Sequence, residues 1–356
     1  MTRNIEALWD RLVRAGVATG AFPAGTEVQP PWYVRVMLGV SGWIAALFLL
    51  GFVAIGLEFI IDSATASVFV GALALAAAFV LFRLASNDFY QQFALAVSFA
   101  GQGLVLFGLF DAIGWRGSGV WWAAALLQIV VAVVMPNFVQ RLVAAFVAAY
   151  ALSVAMIFHG ATAVVPVLAT LGIAVIWLKE FHWQRLSAVM RPIGYGLTLA
   201  LVQLEGQALF GRSLRLFGGR SESIPLFFPH WLGELVLGLL FVAVVGRLLA
   251  QRGEACTSPR MLVALGMAAV IAAASLEAPG IATGFVIILL GFSNGNRLLV
   301  GLGVAALLFY VSAYYYSLET TLLVKSQILA ATGALLLAVR WVVLKWVFPA
   351  GEGRHA

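Results

Sequence analysis

Between about residue 33 and residue 347 the sequence is a succession of apolar runs divided by short polar breaks. A hydrocarbon core of ~30 Å takes about 20 apolar residues of helix to cross. On that ruler twelve runs qualify: 35–60, 65–84, 91–111, 119–135, 140–158, 161–178, 191–210, 231–250, 259–275, 278–292, 296–315 and 319–345. Those at 119–135, 161–178 and 278–292 are short. The chain is 63% hydrophobic and 10% charged, against roughly 45–50% and about 25% in soluble domains. A soluble fold has no interior able to hide that much apolar surface. The sequence therefore predicts an all-α polytopic integral membrane protein with about twelve transmembrane helices.

The basic residues fix an orientation for these spans. Cytoplasmic loops carry the excess of Lys and Arg in membrane proteins. With both termini cytoplasmic, only Arg116, Arg212, Arg215 and Arg220 of the 21 Lys and Arg fall on the far side, and Lys325 falls within a span. Removing one helix would scramble this alternation, so the count and the orientation support each other. Residues 1–32 form a cytoplasmic segment. In it Ile5, Leu8, Trp9, Leu12 and Val13 make the stripe of an amphipathic surface helix, followed by a linker with Pro23, Pro30 and Pro31. Residues 33–347 form a single transmembrane domain, 211–230 its long exoplasmic loop and 348–356 a cytoplasmic tail. A secretory signal would place its apolar core early, so the first span is expected to act as the insertion signal.

Several chemistries are disfavoured. The basic residues are scattered singly at helix ends, without a dense basic face or a basic–aromatic platform, so no nucleic acid is expected as a partner. Cys256 is the single cysteine, which rules out an internal disulfide and a cysteine metal site. His159, His182, His230 and His355 are too scattered for a metal cluster. The sequence has no HExxH or GxSxG signature. Ser41 in GVSG, residues 39–42, has no mid-span histidine to activate it and reads as part of a small packing face. GFSNGNR, residues 291–297, lacks the phosphate-loop pattern and reads as a tight cytoplasmic turn with Asn294 or Asn296 as a helix cap. No catalytic residue, metal or cofactor is expected.

The informative residues are ionisable groups inside the apolar runs, because such groups face a partner or a wet cavity. Glu205 lies well inside its run, flanked by Gln203 and Gln207, and Glu234 stands one turn into the next. Lys325 lies in the last run, six residues beyond Glu319, which places it roughly 9 Å deeper at the rise of a helix. That offset puts Glu319 on another helix face, so a partner for Lys325 must come from a different helix. Glu205, at similar depth, is the first choice, and Gln102 could join. Three readings stay open: an ion pair pinning helices, a substrate or proton-coupling site, and snorkelling of each residue toward the interface. Glu58, Asp62, Glu277 and Glu319 read as interface residues.

The segments WYVRVMLGVSGWIAALFLLGF, APGIATGFVIILLGFSNGNRLLVGLG and YYYSLETTLLVKSQILAATGALLLAVRW together resemble an uncharacterised bacterial inner-membrane family. It is catalogued only as a domain of unknown function. The resemblance implies a setting in the bacterial inner (cytoplasmic) membrane. It also implies membrane-protein partners from neighbouring genes, among them a small protein with a GDYxxLxY motif. It supplies no activity and no catalytic residue. Beside the lipid bilayer as a partner, two functions compete: a subunit of an envelope membrane complex, and a transporter or lipid-handling protein built around Glu205 and Lys325. A membrane enzyme would need a catalytic pair that the sequence lacks.

Overall fold

The computed structural model describes residues 63–85, 87–114, 117–180, 186–210, 230–251, 253, 258–276 and 279–317, with scattered positions between 9 and 51 and between 323 and 337. Within these residues the chain is helical and contains no strand. The helices are α1 (Ala64–Leu84), α2 (Asp88–Ile113), α3 (Ser118–Val134), α4 (Phe138–Ile157), α5 (Val164–Leu178), α6 (Ser187–Phe210), α7 (His230–Gln251), α8 (Pro259–Ser275), α9 (Ile281–Ser293) and α10 (Arg297–Ser317). Each coincides with one of the apolar runs read from the sequence. Most of the amphipathic segment and of the first span, the 211–229 part of the loop, most of the last span and the tail lie outside the described residues.

Among the described residues four helices are long and apolar enough to cross a membrane: Ala64–Leu84, Asp88–Ile113, Phe138–Ile157 and Trp231–Gln251. Five shorter apolar helices accompany them, of which Ile281–Ser293 is the shortest. Its 13 residues extend about 20 Å at the rise of a helix, less than the ~30 Å of a hydrocarbon core. The structure thus gives a helical membrane protein with four helices of full crossing length among the described residues.

Sequence explains where these helices begin and end. Ser63, Asn87, Asn137 and Ser258 each accept a backbone N–H three residues on and cap α1, α2, α4 and α8, satisfying donors that a helix start leaves unpaired. The turn between α9 and α10 closes in the left-handed Gly295 (φ 63°). The N–H of Asn296 bonds the Gly291 carbonyl and that of Gly295 bonds the Phe292 carbonyl, the paired bonds of a Schellman termination. Asn296 Oδ1 then caps α10 at Leu299, as the sequence expects of this turn. The turn also reaches its neighbours. Asn294 Nδ2 donates to the Trp177 carbonyl in the last turn of α5, at 2.8 Å. Asn296 Nδ2 donates to the Tyr195 hydroxyl of α6, at 2.6 Å.

Helix α6 is the centre of the bundle, packing against α3, α4, α5, α9 and α10. The largest core cluster joins Ile173 and Trp177 of α5 to Leu201 of α6, Phe241 of α7, and Val286, Ile287 and Leu290 of α9. Pro192 lies within α6. Its missing N–H leaves the Ala188 carbonyl, four residues earlier, without its helical partner. Arg141 of α4 fills the gap, with Nη1 donating to that carbonyl at 2.8 Å. Arg141→Met should therefore cost about 1 kcal/mol. The loss should shrink in a Pro192→Ala background, where the restored N–H reclaims the carbonyl. A double-mutant cycle on thermal unfolding checks this, and equal losses in both backgrounds would refute it.

Candidate functional site

A cavity of about 230 Å³ opens where four helix ends meet. The C-terminal turn of α4 brings Ser153, the entry to α5 brings Thr162, the last third of α6 brings Glu205 and Gln207, and the first turns of α7 bring Glu234. Close approach at this junction depends on Gly233, whose Cα faces the Ala163 side chain with no room for a Cβ. The volume suffices for about eight waters at ~30 Å³ each.

Both carboxyl groups are withdrawn from solvent. Glu205 is 2% exposed and Glu234 4%, and the two are close enough to interact electrostatically. Among the described residues no hydrogen bond or ion pair engages either of them; Arg191, near the start of α6, pairs instead with Glu180 beyond the end of α5. Ionisable groups in such a setting are expensive unless paired, protonated or ligating a cation. Leu204, which lines the cavity, joins it to an apolar cluster with Val165, Ala149 and Ala200.

Behind the carboxylates stands Tyr310 of α10, with 0% exposure. Its hydroxyl donates to the Val202 carbonyl of α6 at 3.0 Å, one turn before Glu205. Its ring lies over Gly280, where φ is 88° and a side chain would collide with the ring. Tyr310 interacts electrostatically with both carboxyls. It ties the start of α9, through Gly280, to the α6 segment that carries Glu205.

Of the residues singled out from sequence, Glu205, Glu234 and Gln207 line this one cavity. Gln203 lies on α6 but is exposed, on a different face from Glu205. Gln102 is on α2, buried, and donates to the backbone carbonyl and hydroxyl of Ser98 on its own helix; it is not among the cavity-lining residues. Lys325 and Glu319 lie outside the described residues, as do Glu58, Asp62 and Glu277. Sequence reading did not single out Ser153, Thr162 or Tyr310. Ser153 offered a faint signal as the hydroxyl in the otherwise apolar ALSVAM. Among the described residues no group of His, Cys, Asp and Glu is placed to hold a metal ion.

A family model described as a domain of unknown function (DUF4401) matches residues 31–346. Neither a curated protein nor a solved structure matches the chain.

Proposed function

The chain belongs to this family of unknown function, and we propose, from its site, that it is a transporter whose working centre is the Glu205–Glu234 cavity. In this reading residues 33–347 form one domain of twelve spans in a bacterial cytoplasmic membrane, with both termini cytoplasmic. The 211–230 loop and the acidic cavity then lie in the exoplasmic half. The observation that carries the reading is two buried carboxyls, without a partner among the described residues, facing one cavity of about 230 Å³ between four helices. Two such groups repel unless a proton or a cation sits between them. A site of this kind takes up and releases positive charge, and the surrounding helix ends supply the path. Lys325, on the last span, is the internal cation that could replace the exchanged one when it reaches Glu205.

Carbodiimide labelling followed by mass spectrometry tests the site. Protonated carboxyls in the membrane react, so Glu205 or Glu234 should be modified at low pH and spared as pH rises. In proteoliposomes with an entrapped pH dye, Glu205→Gln and Glu234→Gln should each lower proton flux by about tenfold or more, the scale of ~1.4 kcal/mol of coupling. Absence of labelling at both positions, or flux equal to wild type in both variants, would sink the reading. The other reading, a subunit of an envelope membrane complex, draws on the family resemblance. A protein without proton flux that recovers a stable partner from native membranes would favour it.

A further inference from the structure

We infer that the opposite end of the bundle holds a second site, one that binds a glycerophospholipid. A cavity of about 580 Å³ lies there, on the side of α6 where its N-terminal turns meet the ends of α5 and α9 and the starts of α4 and α10. Its lining is divided by depth. At the mouth are Glu180, Arg191 and Tyr195; along the wall run Leu142, Leu199 and Leu302. Arg191, Tyr195 and Leu199 follow one another at four-residue intervals and so form a stripe on one face of α6. From Arg191 to Leu199 the stripe descends about 12 Å.

Two donors at the mouth have no acceptor among the described residues. Arg191 commits only Nε, to Glu180, leaving both Nη groups of a guanidinium that is 57% exposed. The Tyr195 hydroxyl accepts from Asn296 and keeps its own proton to give. A planar guanidinium with free Nη groups beside a phenol is matched by the oxygens of a phosphodiester. The Glu180 carboxylate next to it suits the ammonium of a zwitterionic headgroup. The wall suits an acyl chain, and the rim is open to one: Phe138 is 49% exposed and Leu298 65%. A soluble phosphate ester would satisfy the mouth and leave the apolar wall uncovered, so the lipid is the better occupant. This site shares no residue with the Glu205–Glu234 cavity and does not depend on it.

Native mass spectrometry of the delipidated full-length protein tests the inference with three probes. They are dioleoyl phosphatidylethanolamine, dioleoylglycerol, which lacks the phosphate, and glycerophosphoethanolamine, which lacks the chains. One phospholipid should be retained per protein, with about a tenfold preference over dioleoylglycerol, as charge-assisted hydrogen bonds to phosphate imply. Arg191→Gln should abolish the preference. Tyr195→Phe, which keeps the ring and removes only the hydroxyl, should weaken it and covers the case in which loss of Arg191 disturbs folding. Unchanged retention in Tyr195→Phe with native helix content would overturn the inference. Equal retention of dioleoylglycerol would do the same, and so would displacement of the lipid by an equal concentration of glycerophosphoethanolamine.

Discussion

Gly101→Leu should prevent α1 and α2 from closing, while Gly103→Leu, two residues away, should leave the fold unchanged. The buried face of α2 repeats at intervals of four and three residues: Ala94, Ser98, Gly101, Val105 and Gly108. This is a small-residue seam of the kind that lets membrane helices approach until their backbones touch. Ser67, Gly71 and Ala78 are the buried residues of α1. A methyl group at Gly101 would stand 2.9 Å from the Gly71 carbonyl oxygen and 3.1 Å from the Leu75 nitrogen. Both obstacles are backbone, which cannot rotate aside, so the expected cost is about 3 kcal/mol or more, at the upper end for overpacking. Among the described residues nothing lies within 4 Å of where a Gly103 Cβ would be. Thermal unfolding followed by circular dichroism distinguishes the two variants, and equal midpoints would mean the seam is not what joins these helices.

Removal of the Trp177 side chain should be as damaging, and by an unusual route. The residue is 1% exposed and sits in the main core cluster. Its ring meets Tyr195 edge-on, with centroids 5.1 Å apart, and closes over the bare Cα of Gly194. Trp177→Ala should cost about 3–5 kcal/mol, the transfer and cavity loss of a large aromatic. Buried tryptophans usually lose a hydrogen bond as well when replaced, because the indole N–H finds an acceptor. Here Nε1 is buried without one among the described residues. Trp177→Phe keeps an aromatic ring and gives up no hydrogen bond, so it should cost about 1–3 kcal/mol, the loss from the smaller cavity alone. Denaturant midpoints of the two variants measure the contrast; comparable losses would show that the indole nitrogen matters after all. Because Trp177 backs Tyr195, the alanine variant should also loosen the phospholipid mouth.

Helix positions were readable from hydropathy alone, since the apolar runs and the helices α1 to α10 begin and end within a few residues of one another. Caps were equally readable, because Asn296 stands where a short polar side chain can reach the N–H three residues on. The candidate site was half legible. Depth reasoning grouped Glu205 and Glu234 with Lys325; the first two line one cavity, and Lys325 lies outside the described residues. What depth could not give was the rotation of each helix. Gln203 and Gln207 bracket Glu205 in sequence, yet only Gln207 turns toward the cavity. Gln102 has suitable depth on α2, but spends its amide on Ser98 one turn away, a local bond that no spacing rule forbids. Arg191 illustrates another limit. Charge counting used it as a marker of sidedness, and its role beside Tyr195 emerges only when α6 is set against the α9–α10 turn.

That turn also sets an order of events in synthesis. The bond from Asn294 to the Trp177 carbonyl spans 117 residues of sequence, and that from Asn296 to Tyr195 spans 101. At roughly 5–20 residues per second of translation, α5 and α6 wait about 5–25 s before these partners emerge. Through that interval the last turn of α5 lacks its asparagine cap and the Tyr195 hydroxyl lacks its donor. The bundle's middle helices, α5 and α6, are thus completed by the later α9–α10 turn, and a chain truncated before residue 294 would present an unfinished membrane intermediate to the quality-control machinery.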